Sequence, residues 1–435
     1  MTKFLLKLYS SLIPIAYKYP PIRRMGRWVL GKNQWLKNIL QKNAEKEYAK
    51  LNAPQNNQQI YIDVTHLYHT GLKTGIQRVV YSLYEELKTV VEPEYTIRSV
   101  VLSSDGGLWH FRYCDLNKGH IENDIVVPIS SDIFLGLDLN VQVVAPIKAG
   151  LFSDWKKRGA MIAFTVHDIL PITNPEWFPS SVPKAHEEWL KAIIEAGDHI
   201  LSVSETTQKS IVSWANQNQL EVTDKAFSWF HHGADFDRHK AFDEEYDIDD
   251  DILAKLEKHI AFLHVSTIEP RKGHWATLDT FDELWQSNEN IALIFVGAPG
   301  WMCEKVVLRI KNHPFLNERL FWLTGISDSY LNKIYESADC LLHPSEGEGF
   351  GLSLIEGANK GLSLIVRDIP IFREVAGDLA LYFKSDQHFR EVIEDWLENL
   401  HLQSENIQSQ KTAKPLLSWH DSAQVVWNNL IGKST

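Results

Sequence analysis

Cysteine is scarce in this chain: three residues in 435, Cys114, Cys303 and Cys340, and no Cys-x-x-Cys pair. That scarcity argues against a disulfide framework, offers no metal-ligand spacing, and fits a reducing cytosol. Long hydrophobic runs are lacking too, and none approaches the roughly 20 residues needed to cross a bilayer. There is no low-complexity tract, and 44% hydrophobic with 23% charged residues is a globular composition. Acidic residues are absent from residues 1–44, which hold nine Lys/Arg. The rest of the chain has 35 Lys/Arg against 56 Asp/Glu, so it carries −21 of an overall −12. A nucleic-acid enzyme would spread basic charge over its body, so nucleic acid is not an expected partner.

The basic start mixes Phe4-Leu5-Leu6-Lys7-Leu8-Tyr9 with Trp28-Val29-Leu30 and Trp35-Leu36. It has no small-residue cleavage site behind a clean apolar core, so a signal peptide does not fit. Two readings remain: an interfacial segment on an anionic inner leaflet, or a basic helical extension packed on the body. The first makes the protein cytoplasmic and peripheral at the inner face of the cell membrane.

At this length two domains are expected. A polar stretch at 51–59 reads as a linker, after which strands and helices alternate. Expected strands are Ile60–Val64, Thr96–Leu102, Val141–Ala145, Met161–Val166 and His199–Val203, with helices Ile76–Lys88, Pro183–Ala196 and Glu205–Asn216. Beyond an acidic region at 235–251 the alternation restarts. Strands Ile260–Val265, Ile291–Val296, Leu320–Leu323, Asp339–His343 and Ser363–Val366 alternate with helices Trp275–Gln286, Cys303–Lys311, Ser327–Ser337, Leu352–Asn359 and His388–Leu400. Such alternation predicts α/β domains with mostly parallel sheets, whose ligands bind at the strands' carboxyl ends. The expected divisions are a basic extension over 1–55, doubly wound domains over 56–240 and 241–415, and a C-terminal helix over 416–435 that returns to the N-terminal domain. The site is expected in a central cleft between the two domains.

The most informative window is 343–361, His-Pro-Ser-Glu-Gly-Glu-Gly-Phe-Gly-Leu-Ser-Leu-Ile-Glu-Gly-Ala-Asn-Lys-Gly. Glu348 and Glu356 bracket a glycine-rich turn that opens a helix. Gly349 and Gly351 let a ligand approach the backbone, and the helix's first N–H groups favour an anion. Carboxylates repel phosphate but grip vicinal hydroxyls, so the two acids suit the sugars on either side of a diphosphate. The competing reading is an ordinary turn before a surface helix. The Asp-x-Asp in Asp247-Ile248-Asp249-Asp250-Asp251 reads as solvated linker, since no strand precedes it. His231-His232 reads as structural.

An acid, seven residues and an acid around Gly-Phe-Gly resembles the signature of family-4 retaining glycosyltransferases of the GT-B fold. Phe262-Leu-His-Val-Ser-Thr-Ile-Glu-Pro-Arg-Lys-Gly273 resembles that family's C-domain phosphate loop. Val296-Gly297-Ala298-Pro299-Gly300-Trp301, Ser337-Ala338-Asp339 and Glu374-Val375-Ala376-Gly377-Asp378 follow in the family's order. The resemblance covers roughly 60–430. It implies two doubly wound Rossmann-like domains, Glu356 on ribose, Glu348 on the donor sugar and Lys272 on the diphosphate. Gly349, Phe350, Gly351 and Leu352 would line the nucleotide side. Thr267 stands where the family often has an arginine. Arg271 either substitutes for it or forms a surface ion pair. His167, in Phe164-Thr-Val-His-Asp-Ile-Leu-Pro171, resembles the histidine beside the reacting sugar, with Asp168 as an orienter or loop cap. Thr70-Gly-Leu-Lys-Thr-Gly-Ile-Gln-Arg78 resembles the N-domain loop that closes over the diphosphate. There Gly75 is the close-approach glycine, and Arg78 either meets phosphate or acceptor or is an ordinary helix-surface arginine.

The resemblance thus implies retaining transfer from a nucleotide diphosphate sugar to a hydroxyl of a glycan or lipid-linked glycan, in bacterial surface polysaccharide (capsule or O-antigen) synthesis. Mannose or rhamnose is the donor sugar it suggests. No cofactor and no metal are expected, because a lysine and a helix end can take the leaving charge. A nucleotide-sugar epimerase and a catalytically silent GT-B scaffold are the alternatives.

Overall fold

A computed structural model describes residues 57–71, 75–105, 108–235, 250–287, 290–400 and 416–433. The basic extension, most of the 51–59 linker and most of the Asp247–Asp251 run lie outside the described residues.

The N-terminal sheet has eight strands: β1 (Gln58–Asp63), β2 (Tyr95–Asp105), β3 (Leu108–Asp115), β4 (His120–Ile125), β5 (Ile133–Gly136), β6 (Met161–Val166), β7 (His199–Ser202) and β8 (Ala226–Trp229). Their order is β4-β3-β2-β1-β5-β6-β7-β8. All pairings from β2 to β8 are parallel, while β3 and β4 add an antiparallel edge. The helices are α1 (Thr65–Thr70), α2 (Gly75–Val90), α3 (Val144–Lys148), α4 (Leu151–Lys157), α5 (Leu170–Thr173), α6 (Val182–Ala196) and α7 (Glu205–Gln217).

The second sheet comprises β9 (Ile260–Val265), β10 (Ile291–Val296), β11 (Leu320–Leu323), β12 (Cys340–His343), β13 (Ser363–Arg367) and β14 (Ala380–Phe383). It is parallel throughout, in the order β11-β10-β9-β12-β13-β14. With it are α8 (Asp250–Leu256), α9 (His274–Ser287), α10 (Glu304–Lys311), α11 (Asp328–Ser337), α12 (Leu352–Lys360), α13 (Pro370–Ala376), α14 (Asp386–Glu398) and α15 (Trp419–Ile431).

The expected strand at Val141–Ala145 is helical instead. Asn140 accepts a hydrogen bond from the Gln142 N–H at 3.1 Å and starts a helical turn that runs into α3. The place beside β1 goes to β5, a four-residue apolar strand too short to stand out. The β3–β4 hairpin was not expected either, because the outer strand β4 has mostly exposed side chains and little apolar alternation.

Elsewhere local chemistry and burial agree. Val79, Val80, Leu83 and Leu87 form the buried stripe of α2. Ser204 caps α7 by accepting from the Thr207 N–H, and Ser327 caps α11 by accepting from the Tyr330 N–H. Trp155 is enclosed by Phe111, Phe134 and Phe152, with ring centroids 5.2–5.7 Å away. Each such ring contributes about 1.5–3 kcal/mol by burial.

The last helix, α15, packs on α2 and not on the second sheet. It buries Trp419 and Trp427, and Trp427 meets the Tyr95 ring edge-on at 4.8 Å. The two interdomain segments therefore run side by side: Ala234 N–H donates to Leu417 O at 2.8 Å, and Trp419 N–H to Asp235 Oδ1 at 2.6 Å.

Glu374, on α13, ties the domains together from the other direction. It accepts from the Glu205 and Thr206 N–H groups at the start of α7, at 2.7 and 2.8 Å, and from the Thr206 hydroxyl. His231 Nε2 reaches it at 2.7 Å. Partial burial opposes ionisation, but these donors outweigh it and lower its pKa to about 2. A carboxyl so depressed stabilises the fold above its unfolded value near 4.5, and that stabilisation is lost as pH falls toward 2. The shift corresponds to about 3 kcal/mol. Glu374→Gln should accordingly lower the thermal midpoint at pH 7, and its deficit against the parent should shrink between pH 4.5 and 2. A pH series of thermal melts checks this, and a deficit independent of pH would contradict it.

Candidate functional site

A cleft of about 1840 Å³ separates the carboxyl ends of the two sheets. Thr65, His167 and Val203 line it after β1, β6 and β7; Val265, Val296 and His343 line it at the ends of β9, β10 and β12. Every site residue expected from sequence lines this one cavity, with Gly349, Phe350 and Gly351 forming its glycine turn and Leu352 opening α12.

The glycine turn is the contact point between the domains. A Cβ on Gly349 would lie 1.9 Å from His167 O, so only glycine permits this approach. Gly349 O in turn faces the hydroxyls of Ser204 at 2.9 Å and Thr207 at 3.2 Å. Phe350 packs against His231 and His232, with centroids 5.3 and 4.5 Å away. Gly351, at φ +99°, is the N-cap of α12, a left-handed conformation that side chains disfavour. The α12 N-terminus lines the cleft through Gly351, Leu352 and Ser353 and has no side-chain cap, an arrangement that suits an anion. Gly75 sits across the cleft, where a Cβ would lie 3.1 Å from Leu352 Cδ1.

The charges are arranged less simply than the motif suggests. Lys272 Nζ contacts Glu348 Oε1 at 2.5 Å. Arg271 lies 3.3 Å from Glu348 Oε2 and 3.2 Å from Glu269 Oε2, and it donates to Gly347 O at 2.7 Å. Arg271 is thus a buried ion-pair member, not the surface pair that sequence allowed. Burial opposes ionisation of Glu348, yet the adjacent Lys272 and Arg271 hold its pKa well below the usual carboxylate range. Burial also pushes Lys272 down, against the pull of Glu348. Behind this group His264 and His274 stack at 4.2 Å. Burial, with Lys272 nearby, depresses His274 to about 3; burial outweighs the Glu348 charge and takes His343 to about 4. Both are neutral at pH 7 and add no positive charge. Lys272 and Arg271 therefore face two carboxylates before any ligand arrives.

Glu356 is 7% exposed and also occupied. Tyr335 donates its hydroxyl to Oε2 at 2.6 Å. Arg78, from the opposite domain, brings Nη2 to 2.9 Å of Oε1. Arg78 therefore sits against the acid expected to hold the nucleotide. His167 Nε2 is 3.1 Å from Leu137 O. A carbonyl only accepts, so Nε2 carries the proton, and burial lowers the ring's pKa. The neutral ring then keeps Nδ1 as an acceptor. Asp168 Oδ1 accepts from the Leu170 N–H at 3.0 Å and so caps the start of α5.

Several participants escaped sequence reasoning. Glu269 and Tyr335 are ordinary residues of a loop and a helix, and only the fold sets them beside Arg271 and Glu356. Trp301 donates to Trp177 O at 2.9 Å and lies 5.5 Å from Phe178, bridging the domains at the cleft's rim. Thr267 does line the cleft. Among the described residues no group of three or more His, Cys, Asp or Glu could hold a metal ion.

Residues 245–413 match the family model described as Glycosyl transferases group 1. The Serotype-specific mannosyltransferase WbdA of Escherichia coli is 34% identical over 389 residues, 86% of this chain and 47% of that protein. The O-antigen chain mannosyltransferase RfbU of Salmonella typhimurium is 27% identical over 224 residues, 51% of this chain and 56% of that protein. The chain spans about half the length of the curated relatives it matches. Among solved structures, sucrose-phosphate synthase from Thermosynechococcus elongatus superposes with a TM-score of 0.59 at 14% identity, covering 87% of this chain and all of that one. Anabaena HepE in complex with UDP gives 0.51 at 15% identity, covering 85% and 94%. These likenesses confirm the expected GT-B fold.

Removing one partner from a buried ion pair is more damaging than never having had the pair. Lys272→Met should lower unfolding free energy by about 3 kcal/mol, at the low end because Arg271 still faces Glu348. Urea denaturation measures this, and an unchanged midpoint would show that the pair is not formed.

Proposed function

We propose that this GT-B chain is a retaining glycosyltransferase that moves a sugar from a nucleotide diphosphate sugar to a glycan hydroxyl. The observation that carries the reading is the placement of Glu348 and Glu356 on either side of the α12 N-terminus inside one interdomain cleft. Two polyol-gripping acids flanking an anion site match a sugar–diphosphate–ribose ligand and few others. The group 1 family match and the named mannosyltransferase relatives support the same class.

In this reading the ribose diol donates to Glu356. The diphosphate lies at the α12 N-terminus near Lys272 and Arg271, under the Gly75 loop. Glu348 uses two of roughly four acceptor sites for Lys272 and Arg271, which leaves two for donor-sugar hydroxyls. His167 Nδ1 accepts from another hydroxyl of that ring. The anomeric carbon–oxygen bond to phosphate breaks while the acceptor oxygen attacks on the same face. The acceptor proton passes to the departing phosphate oxygen. Charge on the leaving diphosphate is met by Lys272, Arg271 and the helix end, so the proposed reaction needs no metal. Domain closure at Gly349 keeps water from competing.

Mannose is the first donor to test, because the relatives are named mannosyltransferases, with rhamnose next. The O-antigen chain role in the name of RfbU supports a surface-polysaccharide acceptor, free or lipid-linked. No helix of the described residues is long and apolar enough to cross a membrane. Contact with an anionic inner leaflet is proposed from the charge pattern of residues 1–44 alone.

Incubation with a panel of nucleotide diphosphate sugars and manno-oligosaccharide acceptors, with and without detergent-solubilised lipid acceptor, tests the proposal. GDP-mannose should yield elongated glycan and free GDP. Glu356→Ala should reduce kcat/KM at least 100-fold, since about 3 kcal/mol of charged hydrogen bonding to the donor is lost. An isomerised donor would support an epimerase instead. Binding without turnover would support a scaffold, and full activity of Glu356→Ala at low donor concentration would remove the assignment.

A further inference from the structure

The cleft described above has a shortage: it must accept a diphosphate, yet Lys272 and Arg271 already face Glu348 and Glu269. Thr267 brings no charge. The α12 N-terminus supplies a partial positive charge of roughly half a unit, less than a diphosphate demands. Arg78 enters the cleft from the other domain, on the first turn of α2 and three residues after Gly75. Its guanidinium rests between Glu356, at 2.9 Å, and Asp328, at 4.0 Å. Burial alone would lower its pKa, but Glu356, Asp328 and Tyr335 raise it, so it stays charged.

We propose that Arg78 is a diphosphate-binding cation held on Glu356 until the ribose of the donor displaces it. This rests on the donor class proposed above and assigns a residue to it. Tyr335 already fills one acceptor site of Glu356 Oε2, so a ribose diol that binds the carboxylate side by side needs Oε1 as well, the oxygen that Arg78 faces at 2.9 Å. As those hydroxyls bind, the guanidinium loses its partner beside the α-phosphate, which is joined to the ribose through one ester linkage. It exchanges one anion for another with little travel, and its planar fork suits two phosphate oxygens better than an ammonium would. Because Arg78 belongs to the N-terminal domain and the nucleotide to the C-terminal one, the exchange keeps an interdomain charge bridge in both states. A nucleoside without phosphates would break the Arg78–Glu356 contact and offer nothing in return. The exchange thus selects for the diphosphate itself.

Titration calorimetry of the full chain with UDP, GDP, uridine and guanosine tests this on the parent, Arg78→Gln and Arg78→Lys. For whichever base binds, Arg78→Gln should weaken the nucleoside diphosphate roughly tenfold or more. It should leave the bare nucleoside unchanged or tighter, because Glu356 is released. Arg78→Lys should recover part of the diphosphate affinity and none of any nucleoside effect. Equal weakening of diphosphate and nucleoside would make Arg78 a structural strut and overturn the assignment. Unchanged diphosphate affinity in Arg78→Gln would overturn it too, while leaving the donor class intact. If the parent binds no nucleoside diphosphate, the donor class and the assignment both fall. Circular dichroism of each variant separates loss of binding from loss of fold.

Discussion

One buried carboxylate organises the cleft. Glu348 is held ionised by Lys272 and Arg271, and it holds both of them in return. Burying charge is tolerable only when it is paired, and pairing here fixes three side chains from two loops in one geometry. The same pairing offsets part of the charge that a diphosphate would seek. In the proposed binding mode a ligand therefore enters by exchanging partners with these charges, which links the roles proposed for Arg78, Glu356 and the α12 N-terminus.

The second constraint is steric. Gly349 brings the C-terminal domain's loop against the His167 carbonyl, where no side chain fits. Ser204, Thr207, Glu374 and Trp301 add polar contacts across the same boundary. The strand end bearing His167 and the turn bearing Glu348 are thus positioned by contacts that also close the domains. Under the proposed function, donor-ring positioning and water exclusion become one structural event.

Much of this was legible in the chain. Strands β9, β10 and β11 coincide with expected segments, because a fully parallel sheet covered on both faces writes itself as continuous apolar runs. The Glu348–Glu356 window located the glycine turn and the helix α12 that line the cleft. The N-terminal sheet was harder. Val141–Ala145 has the β-branched look of a strand, yet the Asn140 cap turns it into a helix, and the four-residue β5 takes its place. The charge partners were out of reach for a different reason. Arg78 and Glu356 are distant in sequence and belong to different domains, and Tyr335 and Glu269 carry no motif. Pairing between segments distant in sequence is a property of the fold, so a motif that names Lys272 as a cation cannot say that Glu348 already claims it.

Everything proposed for this chain converges on glycosyl transfer with retention, carried out by leaving-group assistance in a cleft where Glu348 and His167 would hold the donor ring. The anomeric configuration of the product tests it most directly. Proton NMR of the glycan formed from an α-linked nucleotide diphosphate sugar should show a new α-glycosidic bond. A β-linked product, or release of free sugar in place of a glycoside, would contradict it.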